Sequence, residues 1–131
     1  MNKLIVLFLL LLVPPIASCK DGEKNLSISV VSIAKAKGWN LPGSEICRSF
    51  KLSKSDVVKY FSTAEEVDSY EFNRDAVIFP CKYAGTILIN GKLYRWTLSA
   101  GGAGYLYIDK VEDRRFLCKS RCSNALPEMA Q

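Results

Sequence analysis

Asn90-Gly91 sits between two runs rich in large apolar residues, Thr86 to Ile89 before it and Lys92 to Leu98 after it. Asn followed by Gly tolerates positive φ at both central positions of a two-residue loop, so a type I′ hairpin is predicted there. A loop of that length sets its own register, with Ile89 opposite Lys92, Ile87 opposite Tyr94 and Gly85 opposite Trp96. Side chains alternate across a strand. One face therefore carries Ile87, Ile89, Tyr94, Trp96 and Leu98, and is predicted to be core. The other carries Thr86, Leu88, Leu93, Arg95 and Thr97. Gly85 leaves room for the Trp96 indole to lie across the backbone.

Other segments group around this hairpin. Leu26, Ile28 and Val30 alternate with Ser27 and Ser29, the period of a strand. Val31 to Lys37 fits either a continuing strand, the preferred reading, or a helix ending at Gly38. Asn40-Leu41-Pro42-Gly43 is a turn, and Ile46 to Leu52 reads as a short strand carrying Cys47, with Phe50 and Leu52 on one face. A helix is predicted from Ser53, because Ser53-Lys54-Ser55-Asp56 matches a capping box. Val57, Tyr60, Phe61 and Ala64 then recur at helical spacing as one apolar stripe that packs on a sheet. Glu65, Glu66 and Asp68 read as its solvated acidic end. From Ala76 onward the chain is predicted to be sheet, with further strands over Tyr105 to Asp109 and Arg114 to Cys118 joined by a charged turn, Asp109 to Asp113. The fold class is α+β, a small antiparallel meander with one packed helix, stapled by disulfides, in a single domain over residues 26–131.

At 131 residues the chain is large enough for one domain. It has no histidine, so no Ser-His-Asp or Cys-His nucleophile, HExxH site or Cys2His2 finger can be built from it. The N-terminus is a different kind of segment. Lys3 precedes an unbroken run of ten large apolar residues, Leu4 to Val13. As a helix that run would span about 15 Å, half the roughly 30 Å of a bilayer's hydrocarbon core, the length of a signal-peptide h-region. Pro14-Pro15 breaks it, and Ile16-Ala17-Ser18-Cys19 follows. These four residues resemble the lipobox of bacterial lipoproteins, with Ile16 where leucine is commoner. Ordinary signal-peptidase cleavage fits worse, because it would put Ile16 or Pro15 at a position that wants a small side chain. The resemblance implies a signal peptide over 1–18, lipidation of Cys19, and a tether over 19–25. It also implies a lipid-anchored location in the bacterial cell envelope. Lys20 after the cysteine resembles the outer-membrane default, with the domain facing the periplasm.

Five cysteines are an odd number for an exported chain. With Cys19 lipidated, Cys47, Cys81, Cys118 and Cys122 remain as an even set for an oxidising compartment. Four cysteines admit three pairings, and spacing does not select among them. No paired Cys-x-x-Cys knuckle suits zinc, so no metal, and no other cofactor, is expected.

Little else points to chemistry. Ser99-Ala100-Gly101-Gly102-Ala103-Gly104 lacks the Gly-Lys-Ser/Thr of a phosphate loop and reads as a hairpin connection whose tight backbone needs glycine. Its rim, with Arg95, Gly101, Gly102, Tyr105 and Tyr107, is the candidate binding surface. Glu45, Glu71 and Glu112 show no spacing of an acid/base pair, so no catalytic residue is assigned. The net charge is +5, and the densest basic stretch is Arg114-Arg115 with Lys119 and Arg121. An envelope protein meets lipid headgroups or acidic proteins sooner than nucleic acid, so no nucleic-acid partner is expected.

Phe72 to Cys122 also resembles small cysteine-containing exported bacterial proteins of unassigned activity, through Pro80-Cys81, Gly85-Thr86, Trp96, Ala100-Gly101-Gly102 and Cys118. That resemblance implies a compact cysteine-stapled domain. Ser99 to Tyr105 resembles the small-residue loop of membrane-bound lysozyme inhibitors, with Gly104 where those carry an arginine. The expectation is a non-enzymatic, membrane-anchored lipoprotein presenting a small binding domain to one periplasmic protein. The alternative is a periplasmic inhibitor, or an immunity protein, against a lysozyme-like or toxin enzyme.

Overall fold

A computed structural model describes residues 26–36, 39 and 44–129. The predicted signal peptide, Cys19 and its tether lie outside them. Among the described residues no helix is long and apolar enough to cross a membrane.

The centre of the molecule is a four-strand meander, β4 (Lys82–Ile89), β5 (Lys92–Ser99), β6 (Ala103–Ile108) and β7 (Val111–Leu117). The hairpin register is the predicted one, with Ile89 opposite Lys92, Ile87 opposite Tyr94 and Gly85 opposite Trp96. Asn90 and Gly91 have φ of 50° and 80°, as a type I′ turn requires. Two short strands, β1 (Ile28–Val30) and β2 (Ala34–Lys35), pair one after the other along β4. Between them the chain bulges, and the Val31 and Ser32 amides both donate to the Thr86 carbonyl. β3 (Glu65–Val67) pairs with β7 at the far edge. All seven strands form one antiparallel sheet in the order β1-β4-β5-β6-β7-β3, with β2 also on β4.

Helix α1 (Lys54–Thr63) lies across the inner face. Its capping box is closed in both directions, the Asp56 amide donating to Ser53 Oγ and the Ser53 amide to Asp56 Oδ2. Val57, Tyr60 and Phe61 are buried, and Phe61 meets the Phe116 and Trp96 rings edge-on. The predicted core face of the hairpin, Ile87, Ile89, Tyr94, Trp96 and Leu98, is buried beneath this layer. Gly85 has two reasons to be glycine. A Cβ there would stand 3.0 Å from Trp96 Nε1, as the indole argument requires, but only 1.9 Å from the Ser32 carbonyl oxygen of the bulge.

The four candidate cysteines form two disulfides, Cys47–Cys81 and Cys118–Cys122. The first explains one correction. Ile46 to Leu52 is not a strand; Ser44–Arg48 is a 3-10 helix, which turns Cys47 toward Cys81. Phe50 then packs with Trp39 and Tyr83 instead of along a sheet.

Other boundaries differ from expectation for similar reasons. Glu65 and Glu66 are not a solvated helix end but an edge strand, held by cations on the neighbouring segments. Asp68 caps a second helix, α2 (Ser69–Asp75), accepting from the Glu71 amide. The sheet resumes at Lys82 rather than Ala76, because Ala76 caps α2 and a loop follows. The β6–β7 turn is confined to Asp109 and Lys110, with φ of 49° and 68°, and Val111 to Asp113 already belong to β7. A bulge after Leu106 absorbs the extra residue. A third helix, α3 (Ser120–Ala125), and a 3-10 turn, Pro127–Met129, close the chain against the core through Cys122, Leu126 and Met129.

Candidate binding surface

Helices cover the two faces of the sheet unequally. α1 and α3 pack over the inner face. On the outer face α2 lays Phe72 against Val67, Ala103 and Leu117, with Tyr105 at the margin, its ring 4.8 Å from that of Phe72. Beyond Tyr105 no helix follows among the described residues.

What stands on that open half is set by register. Arg95 pairs with Tyr107, and Thr97 with Tyr105, so all four side chains share the outer face. Tyr107 is opposite Glu112, and Tyr105 opposite Arg115. The two tyrosines, two residues apart on one strand, stack with ring centroids 5.8 Å apart. The Tyr107 hydroxyl lies 3.3 Å from Thr97 Oγ1. Where Ala84, a small residue, sits beside Thr97, the face dips into a cavity of about 220 Å³ lined by Ala84, Arg95, Trp96, Thr97, Tyr107 and Lys110.

The cations around this face divide into paired and unpaired. Arg115 is paired with Glu112 and Arg114 with Glu66, while Lys119 is held by Glu71 and lies 3.6 Å from Glu65. The guanidinium of Arg114 and the ammonium of Lys119 are both held protonated above their ordinary values, chiefly by hydrogen bonds to those carboxylates. Arg95 is exposed and has no carboxylate in ion-pair range among the described residues. Burial against α2, with the Glu112 carboxylate as a smaller cause, raises the Tyr105 phenol. Tyr105 therefore stands as neutral, hydrogen-bonding aromatic surface at physiological pH.

Comparison with other proteins adds nothing to this geometry. No family model, no curated protein and no solved structure matches the chain.

The structure brings together three of the five residues expected at the surface, Arg95, Tyr105 and Tyr107, and removes two. Gly101 and Gly102 are buried. A Cβ on Gly101 would meet the Val77 carbonyl oxygen at 2.1 Å, and one on Gly102 the Cys118 Cβ at 2.8 Å. The hairpin connection predicted over Ser99–Gly104 is shorter, Ala100–Gly102, because Ser99 ends β5 and Ala103 and Gly104 begin β6; it packs under the Val77–Phe79 loop and the Pro127–Met129 turn, so it forms no rim and cannot enter a partner's cleft. The basic stretch over Arg114–Arg121 is not an open patch either, since three of its four cations are paired as described. Glu71 and Glu112 are engaged by Lys119 and Arg115, and Glu45 is exposed on the first 3-10 helix. Ala84 and Lys110 were not singled out in the sequence. The alternation of Tyr105 and Tyr107 placed those two on one face, but only the pairing of β5 with β6 sets Tyr107 beside Arg95 and Lys110 near both.

Proposed function

We propose that this chain is a lipid-anchored protein of the bacterial envelope, tethered through Cys19, whose domain works by binding a protein partner on its outer sheet face. The observation that carries the reading is Arg95, an exposed cation with no carboxylate in ion-pair range among the described residues, standing beside stacked Tyr105 and Tyr107 on the part of the sheet that none of the described helices covers. Aromatic residues and arginine are the side chains that concentrate binding energy at protein interfaces. The adjoining cavity, about 220 Å³, is below the roughly 300–1,000 Å³ of small-molecule sites, so it suits one inserted side chain better than a cofactor. The complement of Arg95 is a carboxylate on the partner.

Inhibition of a lysozyme-like enzyme, or immunity to a toxin, is the second reading, and Arg95 is also what favours it. With the glycine loop buried, Arg95, beside Tyr107, is a surface residue able to pair with a catalytic acid.

The test uses lipidated protein solubilised from its own membrane as bait for envelope proteins. A single saturable partner is expected, whose affinity falls at least fivefold, about 1 kcal/mol, with Arg95→Ala or Tyr107→Ala. Lys59→Ala, on the exposed side of α1, should leave it unchanged. Equal retention by all three variants would remove the outer face from the proposal. Cys19→Ser should release the protein from the membrane fraction, and continued retention would sink the anchor.

A further inference from the structure

The chain enters the domain at one end of the sheet. Ser27 is clasped to the β4–β5 turn in both directions, its amide donating to Asn90 Oδ1 at 3.0 Å and its carbonyl accepting from the Asn90 amide at 2.8 Å. The β6–β7 turn, Asp109 and Lys110, lies at that same end, because β4 and β6 run toward it and β5 and β7 away from it. Leu93 is two residues along β5 from Arg95, which faces Tyr107, so it is level with Asp109.

Of the seven exposed large apolar residues among the described ones, three gather here, Leu26 at 44 %, Leu93 at 59 % and Val111 at 68 % of full exposure. They surround the two turn tips on both faces of the sheet, which suits contact end-on rather than on a face. Lys92 and Lys110 flank them and Asp109 is the carboxylate at the tip, all three exposed. Lysines beside apolar side chains match an interface where the apolar groups sink and the ammonium groups stay with phosphate.

Leu26 is seven residues from Cys19. Fully extended, seven residues reach about 25 Å. A lipid on Cys19 therefore keeps this end within about 25 Å of the bilayer, whereas the Gly101–Gly102 end, with exposed Ile78, lies a strand length farther along the sheet.

We infer that the hairpin-tip end, with Leu26, Leu93 and Val111, docks on the headgroup region of the membrane that holds the anchor. This rests on lipidation at Cys19. The domain then stands on its strand ends, and the Arg95–Tyr107 face opens sideways, parallel to the membrane, toward a partner close to the same surface.

The test reconstitutes the lipidated full chain into phosphatidylethanolamine and phosphatidylglycerol vesicles, with and without bromine on the acyl chains. Leu93→Trp and Val111→Trp each place a reporter at the tips, Ile78→Trp places one at the opposite end, and the wild type supplies the background of Trp39 and Trp96. The expected result is blue-shifted emission, quenched by brominated lipid, for Leu93→Trp and Val111→Trp, and neither change for Ile78→Trp. Flotation with the vesicles but no quenching at the tips overturns the docking and leaves the anchor standing. A blue shift without quenching overturns it in favour of protein contact at the tips. Failure of the wild type to float overturns the anchor, and the docking with it. Hydrogen exchange of the wild type gives the same decision without substitution, through slower exchange over Asn90–Leu93 and Asp109–Val111 on vesicles than in detergent.

Discussion

At the scale of a residue, Tyr60 carries the most structure. It is fully buried, and its hydroxyl donates to the Gly102 carbonyl at 2.7 Å, with the Phe116 carbonyl at 3.2 Å. Its ring covers Gly104, where a Cβ would stand 2.6 Å from the phenol. One side chain of α1 thus satisfies carbonyls on the β5–β6 turn and on β7, elements that no local signal connects to the helix. Tyr60→Phe leaves both carbonyls without that donor and is expected to cost about 1–3 kcal/mol in urea unfolding. Burial also raises the Tyr60 phenol well above 10.0 in the folded state. Its neutral form is then a condition of folding, fully met below about pH 10 and lost as pH climbs from there toward the folded-state value. Tyr60→Phe should flatten the alkaline limb of the stability curve. An alkaline limb identical to the wild type would show that Tyr60 is not what titrates.

At the scale of an element, the two disulfides differ in what they hold. Cys47–Cys81 spans 34 residues and ties the 3-10 helix and its Trp39–Phe50–Tyr83 aromatic cluster to the start of β4. Cys118–Cys122 spans 4 residues and fixes the corner where β7 passes into α3. Loop-closure entropy grows with the span, so removing the first by a double Cys→Ala change is expected to cost about 4 kcal/mol and the second about 2 kcal/mol. Denaturant midpoints of the two double variants check the order, and a reversed order would mean that local packing around Cys118 and Cys122 outweighs the chain-entropy term.

For the whole molecule, the absence of histidine has a consequence that can be measured. No side chain has an ordinary pKa between pH 5 and 8. The resolved shifts move away from that window, with Tyr60, Tyr105, Arg114 and Lys119 raised and Asp75 lowered by its hydrogen bond to Arg74. Asp75 in particular favours folding above its unfolded value and loses that contribution only as pH falls through its depressed one. Stability is therefore expected to be flat from about pH 5.5 to 9.5 and to fall outside it on both sides. A thermal unfolding series across pH checks this, and a step inside the plateau would reveal a buried carboxylate that geometry has not singled out.

How much of this was legible follows from the range of each interaction. The Asn90-Gly91 turn, the hairpin register, the core face from Ile87 to Leu98 and the Ser53–Asp56 capping box were all readable, because each depends on residues within a few positions of one another. The exclusion of histidine chemistry was legible from composition alone. The pairing of Cys47 with Cys81, the strand at Glu65–Val67, the burial of Gly101 and Gly102, and the neutralisation of Arg114, Arg115 and Lys119 were not. Apart from the local Arg115–Glu112 pair, each of these depends on a partner that is remote in sequence. The binding surface divides the same way. Tyr105 and Tyr107 share a face by strand period, which is local. That Arg95 stands beside them without a carboxylate, on the half of the sheet α2 leaves open, was decided only when β5 paired with β6 and Phe72 took the other half.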